Sequence, residues 1–218
     1  MLIADIISSL IDVDTRWLVA INACHAPWAD TLMWYISKST TWLPLYAVLV
    51  GLIVWRYGVQ AHKAGKSTRS CVWGVLLIFI AFAIAVGGAD YISSGIIKHQ
   101  VCRLRPTHEP ALEGILHIVR GYRGGQYGFV SSHAANTVAC ATLFSLLWRD
   151  KKATFGLLLW VALNCYSRMY LGVHYPLDIL GGLIVGTLVA GVVYLALRRS
   201  LQAVEEADKH RQEAQGNG

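Results

Sequence analysis

Charge is scarce in this chain. Only 15% of its 218 residues are Asp, Glu, Lys or Arg, and 55% are hydrophobic. With a mean hydropathy of +0.46, that balance excludes an ordinary soluble domain and indicates an integral membrane protein. Metal-binding cysteine patterns are missing too. Cys24, Cys71, Cys102, Cys140 and Cys165 form no C-x-x-C pair and no Cys/His spacing typical of zinc, so neither a metal nor a cofactor is expected. Cys140 and Cys165 lie in apolar runs, where a thiol behaves as a small hydrophobe. No basic stripe with interleaved aromatics exists, which argues against nucleic acid as a partner. The N-terminus lacks the basic start, apolar centre and cleavage site of a signal peptide, so the first spanning helix is expected to direct insertion. Internal repeats of the transporter kind are absent as well.

What remains is a series of apolar runs bounded by charge, and these predict an all-α polytopic bundle with about five spans. Residues Leu2 to Asn22 mix apolar positions with Asp5, Asp12, Asp14 and Arg16, the pattern of an amphipathic helix lying at the interface. Pro27 ends that helix, and Ala29 to Ile36 form a short second piece. The spans are then Ser39 to Trp55, Ser70 to Ala89 with its helix continuing toward Lys98, Ala134 to Trp148, Ala153 to Ser167, and Ile179 to Leu197. Arg56 to Arg69 reads as a polar connection and 99–130, with its prolines and glycines, as a large loop outside the hydrocarbon. Residues 1–200 are expected to form one membrane domain, of which 1–38 is the interfacial segment. The polar 201–218 reads as a cytoplasmic tail, a short helix that frays into disorder.

Five spans put alternate connections on opposite sides. One side collects Arg56, Lys63, Lys66, Arg69, Arg149, Lys151, Lys152, Arg198, Arg199, Lys209 and Arg211, which is 11 of the 19 basic residues. By the positive-inside rule that side is cytoplasmic. The other side faces outward and collects three polar stretches. Cys24 and Cys102 share that side; a disulfide between them is open, and two free thiols are the expectation.

The first stretch runs from Lys98 to Arg105-Pro106, the second is Val130-Ser131-Ser132-His133, and the third is Ser167-Arg168 through His174 to Asp178. Two arginines and a lysine around one pocket suit a phosphate, which takes bidentate donors and a point charge together. A helix starting near His133 after a Ser131 or Ser132 cap adds free backbone N–H groups and a positive dipole end. His133 and His174 supply one imidazole able to attack phosphorus and another able to protonate a leaving oxygen. Each feature also has an ordinary reading: a turn at Arg105-Pro106, a plain cap at Ser131, a snorkelling Lys98, a dipole-complementing Asp178. All of them holding together at one membrane face is the less economical explanation.

Lys98-x6-Arg105-Pro106, Ser131-Ser132-His133 and Arg168-x5-His174-x3-Asp178 together resemble the three-part signature of the type 2 phosphatidic acid phosphatase superfamily, the membrane lipid phosphate phosphatases. The resemblance departs at the second motif, where Val130 and Ser132 replace the usual Pro and Gly, and the N-terminus is one span short of a six-helix core. It implies a metal-independent phosphohydrolase with His174 as nucleophile, Asp178 as its orienting carboxylate and His133 as general acid and base. Lys98, Arg105, Arg168, Ser131 and Ser132 would hold the phosphoryl oxygens, and the 99–130 loop, with Arg103, Arg120 and Arg123, would gate the headgroup or read a second phosphate. The implied setting is a bacterial inner membrane with the site facing the periplasm, the C-terminus cytoplasmic, and a lipid phosphate rather than a protein as partner. Undecaprenyl diphosphate and lipid A phosphates suit an outward site best; phosphatidylglycerophosphate, phosphatidate and phosphotransfer to another lipid are the alternatives. A transporter or non-catalytic lipid binder is a remote rival, since its charges should sit near the midplane.

Overall fold

A computed structural model describes residues 2–216. Its order of helices is α1 (Leu2–Ala23), α2 (Pro27–Ser37), α3 (Ser39–Lys63), α4 (Thr68–Val101), α5 (Ser132–Trp148), α6 (Lys151–Tyr170) and α7 (Pro176–Gly216). Among the described residues there is no strand, only an isolated antiparallel bridge between Leu104 and Tyr127. Helix starts follow their local chemistry. Pro27 and Pro176 occupy first helical positions, where a missing N–H costs nothing. Ser67, Ser131 and Asp150 cap α4, α5 and α6 by accepting from the backbone N–H three residues on.

The centre of the bundle is α5, which packs on α4, α6 and α7. Its Ala134, Ala135, Val138, Ala139, Leu143 and Phe144 are all buried. Close approach to α7 depends on a missing side chain: a Cβ at Gly186 would stand 2.1 Å from the Ala135 carbonyl oxygen. Small residues at such a crossing let backbones meet, which is how helices pack where lipid removes the usual hydrophobic drive. The outer faces carry Leu76, Ile80 and Ile84 of α4 and Ile184, Leu188 and Val192 of α7, all exposed. An apolar rim of that extent suits hydrocarbon, not water. Three helices, α3, α4 and α7, are long and apolar enough to cross a membrane; α5 and α6 are shorter and carry more polar residues.

Two expectations about helix ends need correction. Ser39 to Trp55 does not stop before Arg56, because α3 continues to Lys63. Arg56 instead donates to the Trp148 carbonyl at 2.7 Å and Tyr57 to the Leu147 carbonyl at 3.1 Å, closing the C-terminus of α5. Likewise α7 does not break at Arg198-Arg199 but runs on to Gly216. The tail is held there by contacts with the α3–α4 connection: Asp208 accepts from the Ser67 backbone at 3.2 Å and from its hydroxyl, and Glu205 pairs with Lys66. Cys24 and Cys102 are both free and exposed.

At the other end, α1 and α2 lie against α6, and α1 also against α7. The exposed residues of α1 include apolar Ile6, Ile7, Leu10, Ile11 and Trp17 beside polar Asp5, Asp12 and Arg16, while Asp14, Leu18 and Asn22 are buried. Asn22 ties the region together, donating to the Tyr170 and His117 carbonyls and accepting from the His117 N–H. The loop 99–130 folds back on itself: Gln126 O accepts from Arg105 N, Arg103 O accepts from Gly128 N, and Thr107 Oγ1 donates to Arg123 O.

Candidate active site

The polypeptide between α6 and α7, Leu171 to Tyr175, is buried throughout. His174 is 1% exposed and Asp178, in the first turn of α7, is fully buried. Four residues apart across a helix start, they face one another with His174 Nδ1 3.4 Å from Asp178 Oδ2. A carboxylate there fixes the tautomer with the proton on Nδ1 and leaves Nε2 free with its lone pair. Burial, reinforced by Arg168 and Arg105, holds the imidazole well below the ordinary histidine range, so His174 is neutral at physiological pH.

Asp178 is itself secured from three directions. The Tyr175 N–H donates to Oδ2 at 3.0 Å, and Arg103 Nη1 donates to Oδ1 at 2.9 Å. The other end of that guanidinium, Nη2, donates to Asp14 of α1 at 2.6 Å, and its plane lies 3.9 Å from the Tyr175 ring centroid. Asp14 closes the ring of contacts by accepting from the Leu177 N–H at 2.8 Å. Arg103 is therefore committed to carboxylates and does not serve the headgroup-reading role suggested for it by loop composition. Arg120 lies over the Trp34 and Tyr35 rings and Arg123 donates to Thr107 O.

Around His174 stand the three other cations. Arg168, 2% exposed, donates from Nη1 to Ser37 of α2 and from Nη2 to the Tyr122 hydroxyl at 3.3 Å. Arg105 donates from Nε to Tyr127 O at 3.0 Å. Each arginine keeps one buried N–H that meets no acceptor among the described residues: Nη1 of Arg105 and Nε of Arg168. Buried donors of that kind are costly unless an anion completes them. Lys98, at the outward end of α4, donates to Ser132 Oγ at 2.6 Å, and Ser94 shares the same hydroxyl at 2.6 Å.

His133 sits in the first turn of α5, after the Ser131 cap, and lines a cavity of about 310 Å³ with Tyr46, Val86 and Asn136. Lys98, Arg105, Arg168 and His133 are all near enough to bear on the charge of His174. Lys98, Arg105, His133, Arg168 and Asp178 thus gather around His174. Asp14, Ser37, Ser94 and Tyr122 have no part in the sequence reading, and Arg103, expected to gate or read a headgroup, pairs with Asp178; Asp14 and Ser37 come from helices read as peripheral. Their signal lies in partners 38 to 131 residues away, which spacing along the chain does not reveal.

The two departures in the second motif also find their place. Val130 packs into the space left at Gly181, where a Cβ would be 2.5 Å from Val130 Cγ1. Ser132 turns its hydroxyl toward Lys98 and Ser94, on the α4 side of the helix start.

Comparison with known proteins bears on the same residues. The profile of the PAP2 superfamily matches residues 73–202, most of the bundle and all three motifs. The chain belongs to the PAP2 superfamily. A lipid A 4'-phosphatase of Bacteroides thetaiotaomicron is 32% identical over 182 residues, covering 83% of this chain and 75% of that protein. The undecaprenyl-diphosphatase BcrC of Bacillus subtilis is 36% identical over 166 residues, covering 76% of this chain and 73% of its own length. In fold, the PAP2-type phosphatidylglycerolphosphate phosphatase of Bacillus subtilis superposes with a TM-score of 0.58 at 23% identity, over 85% of this chain and 84% of that one. As a PAP2 protein the chain is a membrane lipid phosphatase.

Proposed function

We propose that this PAP2 phosphatase removes phosphate from an outward-facing lipid headgroup through a phosphohistidine at His174. The observation that carries the reading is the pair of buried, unpartnered guanidinium N–H groups on Arg105 and Arg168 beside a neutral His174. With Lys98 they would take the nonbridging oxygens of a phosphate, and the N–H groups at the start of α5 would add the helix dipole. The Nε2 lone pair attacks phosphorus as the bond to the leaving oxygen breaks, and His133 gives that oxygen its proton. Water then surrenders a proton to His133 and attacks phosphorus, and the P–N bond pair returns to His174. Asp178, held by Arg103, stabilises the positive charge that His174 carries in between.

The membrane arrangement proposed with it has five crossings, α3 to α7, and α1 lying in the outer interface on its exposed apolar face. The basic α3–α4 and α5–α6 connections and the end of α7 then lie in the cytoplasm, and the pocket faces the periplasm of a bacterial inner membrane. Of the candidate lipids, lipid A bearing a sugar phosphate is the first choice and undecaprenyl diphosphate the second, in keeping with the relatives named above.

The test is phosphate release by detergent-purified protein in EDTA from lipid A, undecaprenyl diphosphate, phosphatidylglycerophosphate and phosphatidate, beside His174→Ala. Release that is concentrated on one of the first two and lost in the variant is expected. Release from none of them by folded protein would overturn the proposal, and release only from phosphatidylglycerophosphate or phosphatidate would overturn the substrate choice.

A further inference from the structure

One turn into the bilayer from His133, Asn136 donates from Nδ2 to Asp90 Oδ1 at 3.0 Å. A carboxylate accepts only, so it fixes the orientation of the amide and turns the Asn136 Oδ1 away from α4. That oxygen is buried and accepts no hydrogen bond from the described residues. Asp90 is exposed on α4, within the segment long and apolar enough to cross the membrane, where an ionisable residue is rarely kept without a task. Neither side chain of the Asp90–Asn136 pair hydrogen-bonds Lys98, Arg105, Arg168, His174 or Asp178, although the Asp90 carboxylate is near enough to act on the Lys98 ammonium.

Asn136 lines the same cavity of about 310 Å³ as His133, Ser39, Tyr46 and Thr137. His133 is the group assigned to the leaving oxygen, so whatever carries that oxygen occupies this cavity. The cavity lies among α3, α4 and α5, helices whose outer faces are apolar, and so leads from the phosphate site toward the acyl region. Its polar edge holds the free Asn136 Oδ1, and the Asp90 carboxylate, outside the lining, stands behind it as the acceptor that orients the Asn136 amide. Undecaprenyl diphosphate puts a prenyl phosphate on the leaving oxygen, whose anionic oxygens only accept and would leave Asn136 Oδ1 unpaired. A sugar or polyol offers O–H or N–H groups on the carbons next to the phosphate ester.

We propose that this cavity is the subsite for the leaving alcohol, and that Asn136 and Asp90 select lipids whose phosphate is borne by a hydroxyl- or amide-bearing sugar or polyol. The assignment rests on His133 acting on the leaving oxygen as proposed above. It deepens that reading by giving substrate choice to two residues outside the three motifs.

The experiment compares kcat/KM for lipid A and for undecaprenyl diphosphate in wild type, Asn136→Leu and Asp90→Asn, all in nanodiscs. Taking the ratio cancels any loss of folded protein. The ratio of lipid A to undecaprenyl diphosphate is expected to fall about tenfold in Asn136→Leu, the size of one hydrogen bond left unmade, and to fall in Asp90→Asn as well. A ratio unchanged in both variants overturns the subsite. Should wild type release phosphate from neither lipid, the catalytic reading fails on its own, and native mass spectrometry of the same nanodisc samples decides the subsite. Wild type retaining lipid A over undecaprenyl diphosphate, with the preference lost in Asn136→Leu, supports it; equal retention of the two lipids overturns it.

Discussion

Arg103 holds Asp178 at 2.9 Å with one end of its guanidinium and Asp14 at 2.6 Å with the other. Both carboxylates are buried, at 0% and 4% exposure, so a single loop arginine pairs with two of them and joins α1 to the start of α7. Replacing it by Ala strands two carboxylates, and breaking a buried pair in this way costs about 3 kcal/mol or more. Arg103→Ala should therefore unfold at markedly lower temperature in detergent and lose roughly a hundredfold in kcat, by loosening the carboxylate that orients His174. Arg103→Lys should recover much of the thermal stability but less of kcat, because one ammonium does not span both partners as a guanidinium does.

Lys98 and Ser132 make a second testable pair. The Ser132 hydroxyl lies 2.6 Å from Lys98 Nζ, whereas in the proposed mechanism the ammonium itself meets the phosphate. Ser132→Ala should lower kcat/KM by less than about tenfold, the range of one neutral hydrogen bond. Lys98→Ala should cost about a hundred- to a thousandfold, the range for removing a group that stabilises transition-state charge. Equal losses in the two variants would mean that Ser132 contacts the phosphate directly.

The neutral state of His174 has a pH signature. Its pKa is depressed by burial and then by Arg168 and Arg105, so the imidazole keeps its lone pair as pH falls through the ordinary histidine range. Titration of His174 should inactivate the free enzyme only below that range, placing its acid limb of kcat/KM below the ordinary histidine range. Removing a neighbouring cation relieves part of the depression, raises the pKa and moves that limb to higher pH. Arg105→Gln should show this shift along with its loss of rate; a limb moving to lower pH would contradict the electrostatic assignment.

Helix packing gives a prediction independent of chemistry. A Cβ at Gly186 meets the Ala135 carbonyl at 2.1 Å and Val138 Cγ1 at 2.6 Å. Gly186→Ala must push α7 from α5, two helices whose starts are joined by the Ser131 N–H donating to the Asp178 carbonyl. Overpacking of this kind costs about 1–3 kcal/mol, and thermal unfolding in detergent should register it.

The site was far more legible in the sequence than the shape of the bundle. Lys98, Arg105, Arg168 and Asp178 stand out because ionisable residues are conspicuous against apolar runs, and Pro176 places His174 just before a helix start. Asp14 was harder to read. Of the charged residues of α1, Asp5, Asp12 and Arg16 are exposed while Asp14 turns inward to Arg103, a difference that composition alone does not distinguish. Arg56 looked like a stop signal because charge usually ends a span; its role at the Trp148 carbonyl depends on a partner 92 residues away. The tail was taken for a fraying end because nothing local shows that Ser67 and Lys66 would hold Asp208 and Glu205.

The central claim is that phosphorus passes through His174, and single-turnover labelling addresses it directly. Protein in nanodiscs would be mixed with lipid A carrying radiolabelled phosphate at the 4' position, quenched in alkali, which spares phosphohistidine, and digested for peptide mapping. The expected result is label on the peptide holding His174 in wild type, more of it in His133→Ala if water activation is slowed more than attack, and none in His174→Ala. Full release of phosphate by His174→Ala, or label mapping to another residue, would contradict the assignment.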